Sequence, residues 1–179
     1  MTSWGRLLQP DLALADSVLG LTPELIAQHR LKGLILDVDE TLVPFKHSQP
    51  LEDVCQWLEQ VQTQVKVVLV SNNVSHSRIS HIAKILDVPF YIAAGKPSRR
   101  KLREAVTLMQ LPHSEIAMVG DRLFTDVLGG NRLGLFTVLV EPMLDPMTPV
   151  AANSPKQLLR TAEIWISQRL GVVLQTRRH

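Results

Sequence analysis

The segment KGLILDVDETLVPF, residues 32–45, places the tightest constraint on the fold. Leu34, Ile35 and Leu36 run straight into Asp37, Val38, Asp39 and Glu40. Carboxylates this close repel one another unless a cation lies among them. An apolar run with no polar alternation reads as a strand covered on both faces, the kind that parallel sheets contain. The acids therefore stand at the carboxyl end of a buried strand.

The same pattern recurs along the chain. VKVVLVS (65–71), PFYIAA (89–94), EIAMVGD (115–121) and GLFTVLVEP (134–142) read as further strands. Between them, PLEDVCQWLEQVQ (50–62), HSRISHIAKILD (76–87) and SRRKLREAVTLMQ (98–110) carry apolar residues at helical spacing, with Ser75 placed to cap the second. PKQLLRTAEIWISQRLG (155–171) reads as a last helix. Strands alternating with helices of this length imply parallel βαβ units, hence an α/β, Rossmann-like three-layer sandwich. Gly129 and Gly130, followed by Asn131, are expected to end a helix in left-handed conformations.

A length of 179 residues with 45% hydrophobic and 20% charged residues suits one globular domain. A net charge of +2 gives no reason to expect a nucleic-acid partner. The lone Cys55 excludes an internal disulfide, suits a reducing compartment and reads as a buried structural thiol. No stretch is apolar for long enough to span a bilayer, and LALADSVLGL near the start lacks a basic leader. A cytoplasmic location is expected.

In open parallel sheets, ligands bind beyond the carboxyl ends of the strands. Asp37, Ser71, Lys96 and Asp121 each lie at or just after such an end, so they are expected to converge on one rim. Hard carboxylate oxygens without His or Cys among them favour Mg²⁺. A metal, a lysine, a hydroxyl and a spare carboxylate nucleophile together point to phosphoryl transfer.

These residues also resemble a known family. DVDET at 37–41, Ser71 after its strand, Lys96 and GDRLFTD at 120–126 are similar, in that order, to the motifs of the haloacid dehalogenase (HAD) superfamily of phosphohydrolases. The resemblance spans residues 32–142. It implies that Asp37 attacks phosphorus and becomes an aspartyl-phosphate, and that Asp39 transfers protons. Ser71 and Lys96 bind the transferring phosphoryl group, with Thr41 and Asn72 as further substrate contacts. Mg²⁺ falls to Asp37, Asp39 (through its backbone carbonyl) and Asp121, with Asp126 as a ligand or as support for the metal waters or Lys96. The implied organisation is a single domain with an N-terminal extension (1–30), a catalytic core (31–142) and a C-terminal helix (153–171).

The 29 residues 42–70 and the 24 residues 72–95 are each consumed by one helix and one strand, which leaves no room for a cap domain. LKGLILDVDETLVPF, AGKPSRRKL and GDRLFTDVLGGNRLGLFTVLVEPM resemble an uncapped HAD subfamily (subclass IIIA-type) that includes phosphatidylglycerophosphate phosphatases and bacterial relatives. Glu40 stands where lipid-acting members often carry Asn. A phosphate monoester substrate is implied, with an anionic phospholipid the leading candidate. Trp4, Leu7 and Leu8 beside Arg6, and the cluster Arg99, Arg100, Lys101 and Arg103, offer peripheral contact with a membrane face. A phosphatase of a soluble metabolite, nucleotide or phosphoprotein, and a non-catalytic phosphate-binding scaffold, remain the alternatives. Trp57 and Trp165 read as packing residues, His76 and His81 do not suit a metal pair, and His47 reads as a surface imidazole.

Overall fold

A computed structural model describes residues 3–44, 47–143, 161–163, 165–166, 168–169, 171–172 and 176–177. Its strands are β1 (Leu12–Leu14), β2 (Gly33–Leu36), β3 (Lys66–Val70), β4 (Phe90–Tyr91), β5 (Ile116–Gly120), β6 (Phe136–Leu139) and β7 (Thr176–Arg177). Its helices are α1 (Ser3–Leu8), α2 (Pro23–Gln28), α3 (Glu52–Gln62), α4 (His76–Ile85), α5 (Arg100–Met109) and α6 (Leu128–Asn131), the last preceded by a π-helical turn at Leu123–Val127. The strands form one sheet in the order β4-β3-β2-β5-β6-β1-β7, and every pairing is parallel.

Burial on both faces explains the unbroken apolar runs. Leu34 and Leu36 pack on one side with Val54, Leu58 and Val61 of α3 and Ile79 and Ile82 of α4. Ile35, Val68, Val70 and Met118 point to the other, against Leu102, Ala105, Val106 and Met109 of α5. The period of two along each strand thus sorts alternate side chains into two hydrocarbon layers around the sheet. A cap would have to enter between β2 and β3 or between β3 and β5. Only α3 lies among the described residues of the first interval; α4, β4 and α5 fill the second.

The N-terminal extension does more than its sequence suggests. Leu12–Leu14 joins the sheet beside β6, although three residues are too few to announce a strand. Asp11 secures it: Thr137 donates to its carboxylate from the backbone N–H (2.8 Å) and from the hydroxyl (3.0 Å). Asn131 ties down the preceding segment by donating to the carbonyls of Leu7 and Gln9, both at 2.9 Å.

Several expectations need correction. Gly129 and Gly130 lie inside α6 and are needed for close approach, not for left-handed backbone. A Cβ on Gly130 would sit 2.6 Å from Thr137 Cγ2 and 2.9 Å from Met118 Cβ. The glycine that takes a left-handed conformation just after α6 is Gly134, at φ 71°. Ser75 occupies the N-cap position of α4 but its side chain makes no capping bond. Trp57 is buried and donates to the Leu21 carbonyl at 2.9 Å, whereas Trp165 is 57% exposed. Cys55 is half-buried, and burial together with Glu52 and Glu59 raises its thiol pKa. Residues 161–163, 165–166 and 168–169 are helical; the expected helical residues 155–160 lie outside the described residues. No described helix is long and apolar enough to cross a membrane.

Gly130→Ala is expected to destabilise the fold by about 1–3 kcal/mol through overpacking between β5 and β6. Urea unfolding measures this directly, and an unchanged midpoint would show that the neighbouring side chains yield.

Candidate active site

Asp37 extends β2 by one residue, its N–H donating to the Val119 carbonyl at 3.0 Å. The chain then curls around Val38, whose carbonyl accepts from Leu42 N (3.0 Å) and Val43 N (3.1 Å). Val38, Leu42 and Val43 are fully buried and anchor this turn from below. Glu40 sits in it at φ 64°, a left-handed conformation that costs a residue with a Cβ roughly 1–2 kcal/mol. Asn tolerates that conformation better.

Beyond the strand tips, a buried ammonium binds two carboxylates. Lys96 Nζ lies 2.7 Å from Asp37 Oδ1 and 2.7 Å from Asp126 Oδ1, with its side chain only 1% exposed. Asp37, Asp121 and Asp126 are all buried and offer carboxylate oxygens within 4.8 Å of one another. Burial pushes the Asp37 carboxyl up to about 6, with Lys96 opposing the shift and Asp126 adding to it. Burial works to lower the Lys96 pKa, but Asp126 and Asp37 outweigh it and hold the ammonium above its ordinary value.

Lys96 binds two of these three buried acids, and the Arg122 guanidinium interacts electrostatically with Asp121 and Asp126. The donor set of the three acids is hard oxygen throughout, so the cluster fits a divalent cation of the Mg²⁺ type. Asp126 reaches it from the π-helical turn, where its second oxygen accepts the Arg122 N–H at 3.2 Å. Gly120 makes the space: a Cβ there would lie 2.4 Å from Asp126 Cγ. Arg122 in turn pairs with Glu163 at 2.6 Å, so the C-terminal segment reaches the same rim.

The other expected site residues are arranged less uniformly. Asp39 does not join the acid cluster; Asn73 Nδ2 donates to its Oδ2 at 3.0 Å and Arg78 Nη1 to its Oδ1 at 2.6 Å. Thr41 is fully buried, and its hydroxyl faces Asp121 Oδ1 of the acid cluster at 3.5 Å. Asn72 spends both ends of its amide on the Lys96 backbone, accepting from Lys96 N at 2.7 Å and donating to Lys96 O at 3.1 Å. It thereby positions the lysine loop. Ser71 is buried, its hydroxyl accepting the Asn73 N–H at 3.0 Å.

Asn73 and Arg78 were not among the expected site residues. Their signals were present in the Asn-Asn pair directly behind β3 and in an arginine in the first turn of α4. Asn73 also accepts the Ser75 N–H through Oδ1 at 2.8 Å, which launches the helix that carries Arg78. Arg78 Nε donates to the carbonyl of half-buried His47 at 2.9 Å.

Comparison with known proteins agrees with this geometry. Residues 93–142 match a family model described as HAD-hydrolase-like. A Bacillus subtilis (strain 168) protein named "Probable phosphatase YqeG" is 36% identical over 75% of this chain and 77% of its own length. The Arabidopsis thaliana phosphatidylglycerophosphate phosphatase 1 is 28% identical over 84% of this chain but only 46% of its own length. Among solved structures, the cobalt-bound deoxy-D-mannose-octulosonate 8-phosphate phosphatase from Haemophilus influenzae shares the fold, at 13% identity and a TM-score of 0.51 over 62% of this chain and 68% of that one.

Millimolar Mg²⁺ is expected to raise the thermal midpoint by roughly 4 °C or more, because only the folded state assembles the acids. Asp121→Asn should abolish most of that rise, and calorimetry with and without the metal decides it. Separately, Glu40→Asn should stabilise the metal-free chain by about 0.5–1 kcal/mol in urea unfolding, by relieving the left-handed backbone; a loss of stability would mean that the Glu40 side chain outweighs its backbone strain.

Proposed function

Because the chain belongs to the HAD superfamily of phosphatases, we propose that it is a Mg²⁺-dependent phosphomonoester hydrolase working through an aspartyl-phosphate, with phosphatidylglycerophosphate as its substrate. The observation that carries this reading is the bridge of Lys96 between Asp37 and Asp126, with Asp121 alongside. A carboxylate cannot approach a phosphate dianion until the repulsion between them is offset, and a buried ammonium in contact with the attacking oxygen offsets part of it. Asp37, Asp121 and Asp126, with the Asp39 backbone carbonyl, would hold the metal. When bound, Mg²⁺ supplies further neutralisation of the phosphoryl oxygens.

Asp37 attacks in line: the bond from its oxygen to phosphorus forms as the ester P–O bond breaks. Asp39 gives its proton to the departing alkoxide. A water then attacks the acyl phosphate, Asp39 takes the proton that water loses, and Asp37 is released with inorganic phosphate. Asn73 and Arg78 hold the Asp39 carboxyl in place for both steps. Lys96 stays charged throughout, fixed by Asp126 from one side and by Asn72 through its backbone. Substrate identity rests on the relatives named phosphatidylglycerophosphate phosphatase, of which this chain spans about half. Among the described residues no cap domain separates the expected motifs, which suits a substrate too large to be enclosed.

Asp37→Asn should lower turnover of p-nitrophenyl phosphate at least ~10³-fold, and Asp39→Asn by roughly 10²–10⁴-fold. Acid quenching of the wild type during turnover of a ³²P-labelled ester should leave label on Asp37 that hydroxylamine releases. Full activity of Asp37→Asn would overturn the nucleophile, and no hydrolysis of any phosphate ester with Mg²⁺ would overturn the enzyme reading.

A further inference from the structure

The loop that delivers Lys96 continues directly into a second charged feature. A cleft of about 530 Å³ is lined by Ser98, Arg99, Arg100, Arg103, Glu104 and Arg132. This volume is in the range of sites for small molecules. Four guanidiniums face a single carboxylate, and that carboxylate is already taken: Glu104 Oε2 lies 2.8 Å from Lys101 Nζ. Among the described residues, none of the four arginines has an acidic partner.

This arrangement is unfavourable by itself. The first turn of α5 contains no acid, and Arg99 at its N-cap makes no side-chain capping bond. Cations there oppose the helix dipole. Arg99 and Arg103, and Arg100 and Arg103, are like-charged neighbours at helical spacing, which adds repulsion. Two contacts nevertheless hold the rim of the cleft together: Arg99 Nη1 donates to the Arg132 carbonyl at 3.4 Å, and Arg132 Nη1 to the Pro97 carbonyl at 3.2 Å. Pro97 follows Lys96 directly, so the cleft wall and the lysine loop are one piece of chain.

A bound anion would offset these repulsions, and a planar guanidinium fork suits phosphate oxygens. We propose that this cleft is a second anion subsite, which binds a phosphodiester or other second phosphate on the same substrate whose terminal phosphate is cleaved at Asp37. The inference rests on the phosphatase reading above and deepens it: the preferred substrate carries two phosphates, and Arg100, Arg103 and Arg132 select it over a simple monoester. A lipid bisphosphate and its soluble deacylated headgroup share this chemistry.

The test compares the wild type, Arg100→Ala/Arg103→Ala, Arg132→Ala and Arg100→Lys/Arg103→Lys on three substrates. These are p-nitrophenyl phosphate, glycerophosphoglycerophosphate, and phosphatidylglycerophosphate in uncharged mixed micelles. All three side chains are exposed, so the folded state should survive; circular dichroism checks it. The alanine variants should lose kcat/KM on both two-phosphate substrates about tenfold more than on p-nitrophenyl phosphate, mainly through KM, and the lysine variant should recover part of the loss. An equal change on all three substrates, or none, overturns the subsite. A selective loss confined to micelles also overturns it, because the arginines would then be reading a lipid surface and not a second phosphate. Calorimetric binding of glycerophosphoglycerophosphate to Asp37→Asn protein, with and without the arginines, separates the two levels of the proposal. Arginine-dependent binding without wild-type turnover would sink the phosphatase reading and leave the subsite standing; binding indifferent to the arginines would sink the subsite alone.

Discussion

One buried ammonium organises this rim. Lys96 is enclosed between Asp37 and Asp126, at 2.7 Å from each, in surroundings where an unpaired charge would be costly. Without it, three carboxylates from two strand ends would repel one another across less than 5 Å. With it, and with Arg122 acting on Asp121 and Asp126, their hard oxygens still suit a divalent cation. The lysine thus makes the acid cluster tolerable in the folded chain and leaves it able to hold a metal.

The fold supplies this geometry through strand order. β2 lies between β3 and β5, with four-residue registers on both sides, so Asp37, Ser71 and Asp121 emerge beside one another. Lys96 comes from farther along, past the short β4, and depends on a polar clamp: the Asn72 amide bonds both the N–H and the carbonyl of Lys96. Asp126 depends on a missing side chain, since only glycine at position 120 leaves room for its carboxyl. Packing, a backbone clamp and a glycine therefore each place one member of the cluster. The arginine cleft continues from the same loop, so one segment, 96–103, links the cluster to the charge that surrounds it.

The central sheet was legible because burial on both faces forces unbroken apolar runs, and GLIL, KVVLV and IAMVG could hardly be placed elsewhere. The acids at their ends were legible for the same reason, since a strand tip fixes where the next residue points. What failed to show were features made by distant partners. Leu12–Leu14 is too short to read as a strand and is held by Asp11 acting on Thr137, 126 residues away. The Gly129–Gly130 pair looked like a helix end because glycine permits left-handed backbone, yet its use is to let α6 approach Met118 and Thr137. The direction of the Thr41 and Asn72 side chains, inward to Asp121 and sideways to the Lys96 backbone, is likewise a tertiary property.

The decisive measurement is the stability of metal-free Lys96→Met as a function of pH, set against the wild type. Without the ammonium, the pKa of the Asp37 carboxyl in the folded state should rise further above its unfolded value. The folded state would then bind more protons than the unfolded one between those two limits, so stability must fall as pH rises through that window. Lys96→Met should therefore lose stability more steeply than the wild type between about pH 5 and pH 8. Parallel profiles for the two proteins across that range would contradict the account, because the lysine would then not be the charge that holds these acids together.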